Sequence, residues 1–304
     1  MTQFVNFACS ITFYSCAECG HNIFPTDEYF RLCFLNSPGK CPRCLCEIDV
    51  WKQALDSLTA HAALHRSSAV ALIGGREVSH WLTISPGEIV DVDLTVLGVP
   101  AGSRILYVIV TPDAGGVIPV ELTSNELRRP RTGTALTLYG RAMKMPGREP
   151  GATRVSLLIT FVTHGDDEHE IASLADAFEA FQWDDFAGMV VPAAVAVEDS
   201  LERLFTKFTS YRRLTRSNVG RDGLLLSILP LISDDILLPR LTPEIAIRVK
   251  RLWGLRDMIA HNGRFSEDVS LEQAAEKLCA AIFACRYVRI AAKGLDDKYT
   301  ASGK

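Results

Sequence analysis

Cysteine is the residue whose placement first suggests chemistry. The chain has 304 residues and nine cysteines, seven of them within the first 46 positions. Cys16-Ala-Glu-Cys19 and Cys41-Pro-Arg-Cys44 are two C-x-x-C pairs separated by 21 residues. A C-x-x-C turn brings two thiolates to one ion, and two such turns complete a tetrahedral site. The spacing predicts a structural zinc held by Cys16, Cys19, Cys41 and Cys44, with Cys46 and His21 as substitute ligands. Four protein ligands leave no open coordination position, so no catalysis is expected at this metal. A redox dithiol is disfavoured, because two copies at this spacing lack a thioredoxin-like βαβ context. Cys9 and Cys33 read as buried thiols. Cys279 and Cys285 read as small core residues of the last helix.

A second group lies in Leu252-Trp-Gly-Leu-Arg-Asp-Met-Ile-Ala-His-Asn-Gly263. Gly263 or Asn262 suits the left-handed cap that ends a helix. His261 then sits in the last turn, where the helix dipole favours positive charge. Asp257 is four residues earlier, on the same face and within reach of the imidazole. Arg256 is five residues earlier, about 140° away around an ideal helix. The pair therefore converges only through an unwound last turn or a second copy of the helix across a two-fold axis. An imidazole beside a guanidinium supplies proton transfer and anion stabilisation without a metal. The bland reading is an Arg paired with an acid and a His that caps.

Several textures must position these groups. Residues 1–49 suit a zinc ribbon, with Ile23–Phe34 as the hairpin between the knuckles. Residues 50–66 read as a connecting helix. Residues 67–165 are β-branched and punctuated by Pro-Gly and Gly-Gly turns, which suggests a β-sandwich of Ig-like type. The acidic stretch from His164 reads as a linker. Residues 170–304 read as an all-α bundle, with apolar stripes such as Ala194, Val197, Leu201, Leu204, Phe205 and Leu271, Ala275, Leu278, Ile282, Cys285, Val288. The expected architecture is multidomain α+β.

Composition bounds the partners. Hydrophobic residues make up 48% and charged residues 22%, which excludes a disordered chain. Formal net charge is −4, which excludes a uniformly basic coat. Residues 1–60 carry four Lys/Arg against six acids, a poor footprint for a phosphate backbone. Residues 203–264 carry twelve Lys/Arg against five acids, a net of +7 around the Arg/His segment. Arg212, Arg213, Arg216, Lys250, Arg251 and Arg264 are the candidate RNA contacts there, and Tyr211 is either a base-stacking or a core residue. No signal peptide or spanning run is read, so a cytoplasmic protein without a membrane partner is expected.

The segment Arg256-Asp257-Met-Ile-Ala-His261 resembles the signature of the HEPN superfamily: Arg, a polar residue, a short spacer and His. Asp follows the Arg here, where Asn is commoner. Upstream, Ala193-Ala-Val-Ala-Val-Glu198 resembles the acid-bearing second helix of such domains. The resemblance covers about residues 170–295. It implies a metal-independent endoribonuclease working as a homodimer, with His261 as general acid/base, Arg256 stabilising the phosphorane and Asp257 orienting the pair. The implied products carry 2′,3′-cyclic phosphate and 5′-hydroxyl ends. By the same analogy the chain is an antiviral-defence or toxin effector, triggered by a protein or ligand at the ribbon or β region. The alternatives are an inactive HEPN-like dimer acting as a nucleic-acid-binding, nucleotide-binding or scaffold protein, or an adaptor beside a nucleotidyltransferase.

Overall fold

The computed structural model describes residues 9–10, 14–34, 39–60, 67–113, 116–122, 131–132, 135–143, 150–163, 165, 169–213, 219–262 and 269–301. Strands Cys9–Ser10 (β1), Tyr14–Ser15 (β2) and Asn22–Ile23 (β3) precede helix Asp27–Phe34 (α1). Strands Gly39–Lys40 (β4) and Glu47–Ile48 (β5) then lead into helix Val50–Thr59 (α2). After a 3₁₀ turn at Ala69–Ile73 come Arg76–Ile84 (β6), Ile89–Asp93 (β7), Arg104–Pro112 (β8), Val117–Glu121 (β9), Arg131–Thr132 (β10), Ala135–Ala142 (β11) and Thr153–Val162 (β12). The helices His169–Gln182 (α3) and Phe186–Arg212 (α4) follow. A helical piece, Arg221–Gly223, passes through a π-helical turn, Leu224–Ile228, into Leu229–Asp235 (α5). Pro243–Asn262 (α6) and Leu271–Ala301 (α7) complete the chain. No helix among the described residues is long and apolar enough to cross a membrane. The chain divides into two compact units: residues 1–12 with 60–164, and residues 13–59 with 165–304.

Every described strand pair of the first unit is antiparallel. One sheet has the order β1-β6-β12-β8-β10 and the other β7-β11-β9. β12 is central: Val155, Leu157 and Ile159 alternate inward and are fully buried. They join Val78 and Ile84 of β6, Val92 of β7 and Leu136 and Leu138 of β11 in one hydrophobic cluster. Period-two alternation thus buries one face of each sheet in a shared core. Gly140 lets the turn after β6 close, since a Cβ there would lie 2.3 Å from the Ser85 carbonyl oxygen. The glycine amide donates to the Glu88 carbonyl oxygen at 2.9 Å, and its own carbonyl accepts from Gly87 at 2.7 Å.

The second unit is built on α7. Its start carries a capping box: the Gln273 amide donates to Ser270 Oγ, and the Ser270 amide donates to Gln273 Oε1. The sequence pattern predicts one apolar stripe here. Instead every residue from Lys277 to Cys285 is buried, more than one helical face. The reason is a second partner: α7 packs against α3, α4 and α6 and also against α1 and α2. Phe283 meets Phe30 and Trp51 edge-on at 5.2 Å each, and Tyr287 meets Phe34 at 4.8 Å. The Arg286 guanidinium donates to the Pro25 carbonyl oxygen at 2.7 Å, pairs with Asp27 at 3.1 Å and lies 5.0 Å from the Phe30 ring centre. Cys279 and Cys285 are buried, as expected of core thiols, and burial pushes the Cys285 thiol up to about 12.

One expectation fails between the knuckles. Ile23–Phe34 is not a hairpin, because Asp27–Phe34 is helical. Asp27 and Glu28 favour the positive N-terminal end of that helix, and Phe30 and Phe34 fall one turn apart on the side that meets α7.

The far end of the bundle is tied by Asp235, at the end of α5. Its carboxylate accepts from Tyr299 at 2.8 Å, from Lys298 at 3.0 Å and from Arg212. Burial alone would raise this carboxyl, and the hydrogen bonds from Tyr299 and Lys298 with the charge of Arg212 outweigh it and hold it below the usual range. A depressed carboxyl contributes fully above its ordinary value of 3.8 and loses that contribution as pH falls further. Asp235→Asn should therefore unfold at lower urea than the wild type at pH 7. The two midpoints should converge between roughly pH 4 and pH 2 in urea titrations across that range. A gap that persists unchanged at the acid end would contradict this assignment.

Candidate functional site

The two C-x-x-C turns are built alike. The Cys16 amide donates to the His21 carbonyl oxygen at 2.9 Å and the Gly20 amide to that of Cys16 at 2.8 Å. The Cys41 amide donates to the Cys46 carbonyl oxygen and the Leu45 amide to that of Cys41, both at 2.9 Å. A two-residue antiparallel ladder closes each turn, β2 on β3 and β4 on β5. Both turns need a left-handed residue, filled by Gly20 (φ 66°) and Leu45 (φ 62°). Glycine adopts that conformation freely and leucine does not.

These turns bring the Sγ atoms of Cys16, Cys19, Cys41 and Cys44 within 4.8 Å of one another. Cys16 Sγ lies 3.5 Å from Cys44 Sγ, and Cys19 Sγ lies 3.6 Å from Cys41 Sγ. A tetrahedron of sulfurs about zinc, with bonds near 2.3 Å, has edges of about 3.8 Å. The four cysteines thus form a set that can hold a metal ion such as zinc. Their protonation is mutually constrained. A hydrogen bond from the Cys46 thiol holds Cys16 down to about 6. The His21 backbone amide works to lower Cys19, yet burial and the sulfurs of Cys44, Cys41 and Cys16 push it up to about 12. A dication supplies the positive charge that allows all four to ionise together. Cys46 stands outside the four, with its sulfur 3.1 Å from that of Cys16. His21 contributes its carbonyl to the first turn. The side chains of Cys9 and Cys33 lie outside the described residues.

The second group centres on α6. The helix stays regular through Asn262, so its last turn is not unwound between Arg256 and His261. Arg256 Nη1 donates to Glu198 Oε1 on α4 at 3.2 Å and lies 3.6 Å from its neighbour Asp257. Arg221 reaches the same Glu198 oxygen at 3.2 Å and grips both oxygens of Asp257. The Arg221 guanidinium also lies 5.4 Å from the centre of the buried Trp253 ring. Hydrogen bonds from Arg221 lead the effects that hold the Asp257 carboxyl below its usual range, and the charges of Arg256 and His261 add to them. The Asp257 carboxylate is thus engaged by Arg221 rather than spent on the imidazole alone. His261 is exposed in the last described turn. Sequence reasoning counted Arg221 only as one more basic residue. It lies 36 positions from Asp257, and no local signal links the two.

The remaining basic candidates differ in their surroundings. Arg212 is tied to Asp235, and Lys250 lies 3.5 Å from Asp222. Arg213 is the left-handed cap of α4 (φ 52°), and Arg251 is exposed on α6. Arg216, Gly263 and Arg264 lie outside the described residues. Tyr211 stacks on Tyr299 at 5.1 Å and donates to Asp296 at 2.6 Å, which makes it a packing residue in this structure.

No protein-family model, no curated protein and no solved structure matches the chain. The geometry therefore stands by itself. Elemental analysis of purified protein should find about one zinc per chain, the capacity of one tetrahedral tetrathiolate site. Cys16→Ser should lower that figure sharply, and a folded, metal-free N-terminal module would contradict the assignment.

Proposed function

We propose that this chain is a metal-independent endoribonuclease of HEPN type, with a zinc-ribbon-like module, an Ig-like β-sandwich and a helical effector domain. The observation that carries the reading is the ion-pair group Glu198–Arg221–Asp257–Arg256, which fixes two guanidiniums beside the helical end bearing an exposed His261. In this mechanism His261 takes the proton of the RNA 2′-hydroxyl. The freed oxygen attacks phosphorus, and the bond to the 5′-oxygen breaks. A second His261 protonates the leaving oxygen. Arg256 and Arg221 stabilise the pentavalent phosphorane, and Asp257 holds Arg221 in place. The products are a 2′,3′-cyclic phosphate and a 5′-hydroxyl.

The regular helix keeps Arg256 and His261 about 140° apart. One chain then does not present both on one face, and this supports a homodimer in which the two α6 ends share a cleft. The zinc would be structural, because four thiolates close its coordination sphere. A cytoplasmic toxin or antiviral effector, triggered through the ribbon or the β unit, completes the proposal by analogy alone.

One observation favours a second reading. Two arginines face two carboxylates in the group, so its charges balance without any phosphate. A binding or scaffold dimer would need no more than that. The test is cleavage of a single-stranded RNA in EDTA. Wild type should give cyclic-phosphate ends, and His261→Ala should lose about 10²–10⁴-fold in rate, the usual worth of a general acid/base. No cleavage, or cleavage indifferent to His261→Ala, would favour the scaffold.

A further inference from the structure

Cys46 has no place among the four clustered ligands, yet its sulfur lies 3.1 Å from that of Cys16, closer than Cys16 to Cys44 at 3.5 Å or Cys19 to Cys41 at 3.6 Å. It occupies the position in the second turn that His21 occupies in the first, where only the backbone carbonyl is needed to close the turn. A thiol is thus not required there for the fold of the turn. Cys46 is also partly accessible, whereas Cys16 is buried. We infer that Cys16 and Cys46 form a hydroperoxide-sensitive pair whose disulfide removes one ligand from the metal site and releases the ion. The inference rests on the tetrathiolate zinc assignment and is independent of any ribonuclease activity.

The chemistry balances with a hydroperoxide as the oxidant. The partly accessible Cys46 sulfur attacks one peroxide oxygen, the O–O bond breaks, and the hydroxide or alkoxide that leaves takes the thiol proton, giving a Cys46 sulfenic acid. Cys16 Sγ then attacks the Cys46 sulfur. The S–S bond forms, the S–O bond breaks and hydroxide leaves, so that Cys16 no longer serves as a thiolate ligand. Two electrons pass from the thiol pair to the peroxide. Cys19, Cys41 and Cys44 remain, one ligand short of a closed site. The consequence travels directly along the chain: Cys46 precedes β5 and then α2, the helix that packs on α7.

The test uses the full-length zinc protein, hydrogen peroxide and a chromophoric zinc chelator. Peroxide should cause rapid transfer of zinc to the chelator, and peptide mapping should find Cys16 joined to Cys46. Cys46→Ser should retain zinc before oxidation and lose the rapid release. Four results would overturn the inference. The first is wild type that holds no zinc, which sinks the metal assignment itself. The second is Cys46→Ser that fails to bind zinc, which makes Cys46 a ligand. The third is release of zinc from the variant as fast as from wild type. The fourth is a map that finds Cys16 joined to Cys19 or Cys44 instead.

Discussion

The burial of α7 on more than one side is the constraint on which the rest of the second unit depends. An amphipathic helix needs only one covered face, but Lys277 through Cys285 are covered all round. That requires a partner besides the bundle, and α1 and α2 supply it through Phe30, Phe34 and Trp51. A module of 47 residues, 13–59, has little core of its own. Its ties are a four-cysteine cluster able to hold a metal ion at one end and the aromatic seam on α7 at the other. Arg286 closes the seam, because its largely buried guanidinium donates to the Pro25 carbonyl oxygen and forms an ion pair with Asp27 of the module.

The same packing reaches the Arg/His helix. Arg248 on α6 lies 4.8 Å from the Trp51 ring centre and pairs with Glu276 of α7 at 2.6 Å. Two turns further along α6 come Arg256 and Asp257, locked to Glu198 and Arg221. The cysteine module and the ion-pair group are thus connected by one continuous helix. Arg221 leads into a π-helical turn, a local irregularity often found where a helix is shaped by function.

Legibility in the sequence followed the range of each interaction. The C-x-x-C turns were readable because two ligands and the turn that presents them lie within four residues. The β texture of residues 67–165 is readable from β-branched runs and the turn residues between them, and its strands form two sheets around one cluster. The helix at Asp27–Phe34 was missed because its aromatics were read as hairpin residues, while their packing partners lie some 250 residues away on α7. Asp257 was placed beside His261 by helical spacing, whereas the partner that dominates it, Arg221, comes from another segment. The tertiary partners of two further residues are equally remote in sequence: Arg212 pairs with Asp235, and Tyr211 donates to Asp296.

The claim that the cysteine module and the bundle share one core through α7 is open to direct measurement by amide hydrogen exchange before and after the four-cysteine cluster is stripped of metal with a strong chelator. Removal should speed exchange in α1 and α2 and across Phe283–Tyr287 of α7, and leave β6, β8 and β12 as protected as before. Unchanged protection at Phe283–Tyr287 in the stripped protein would contradict the account.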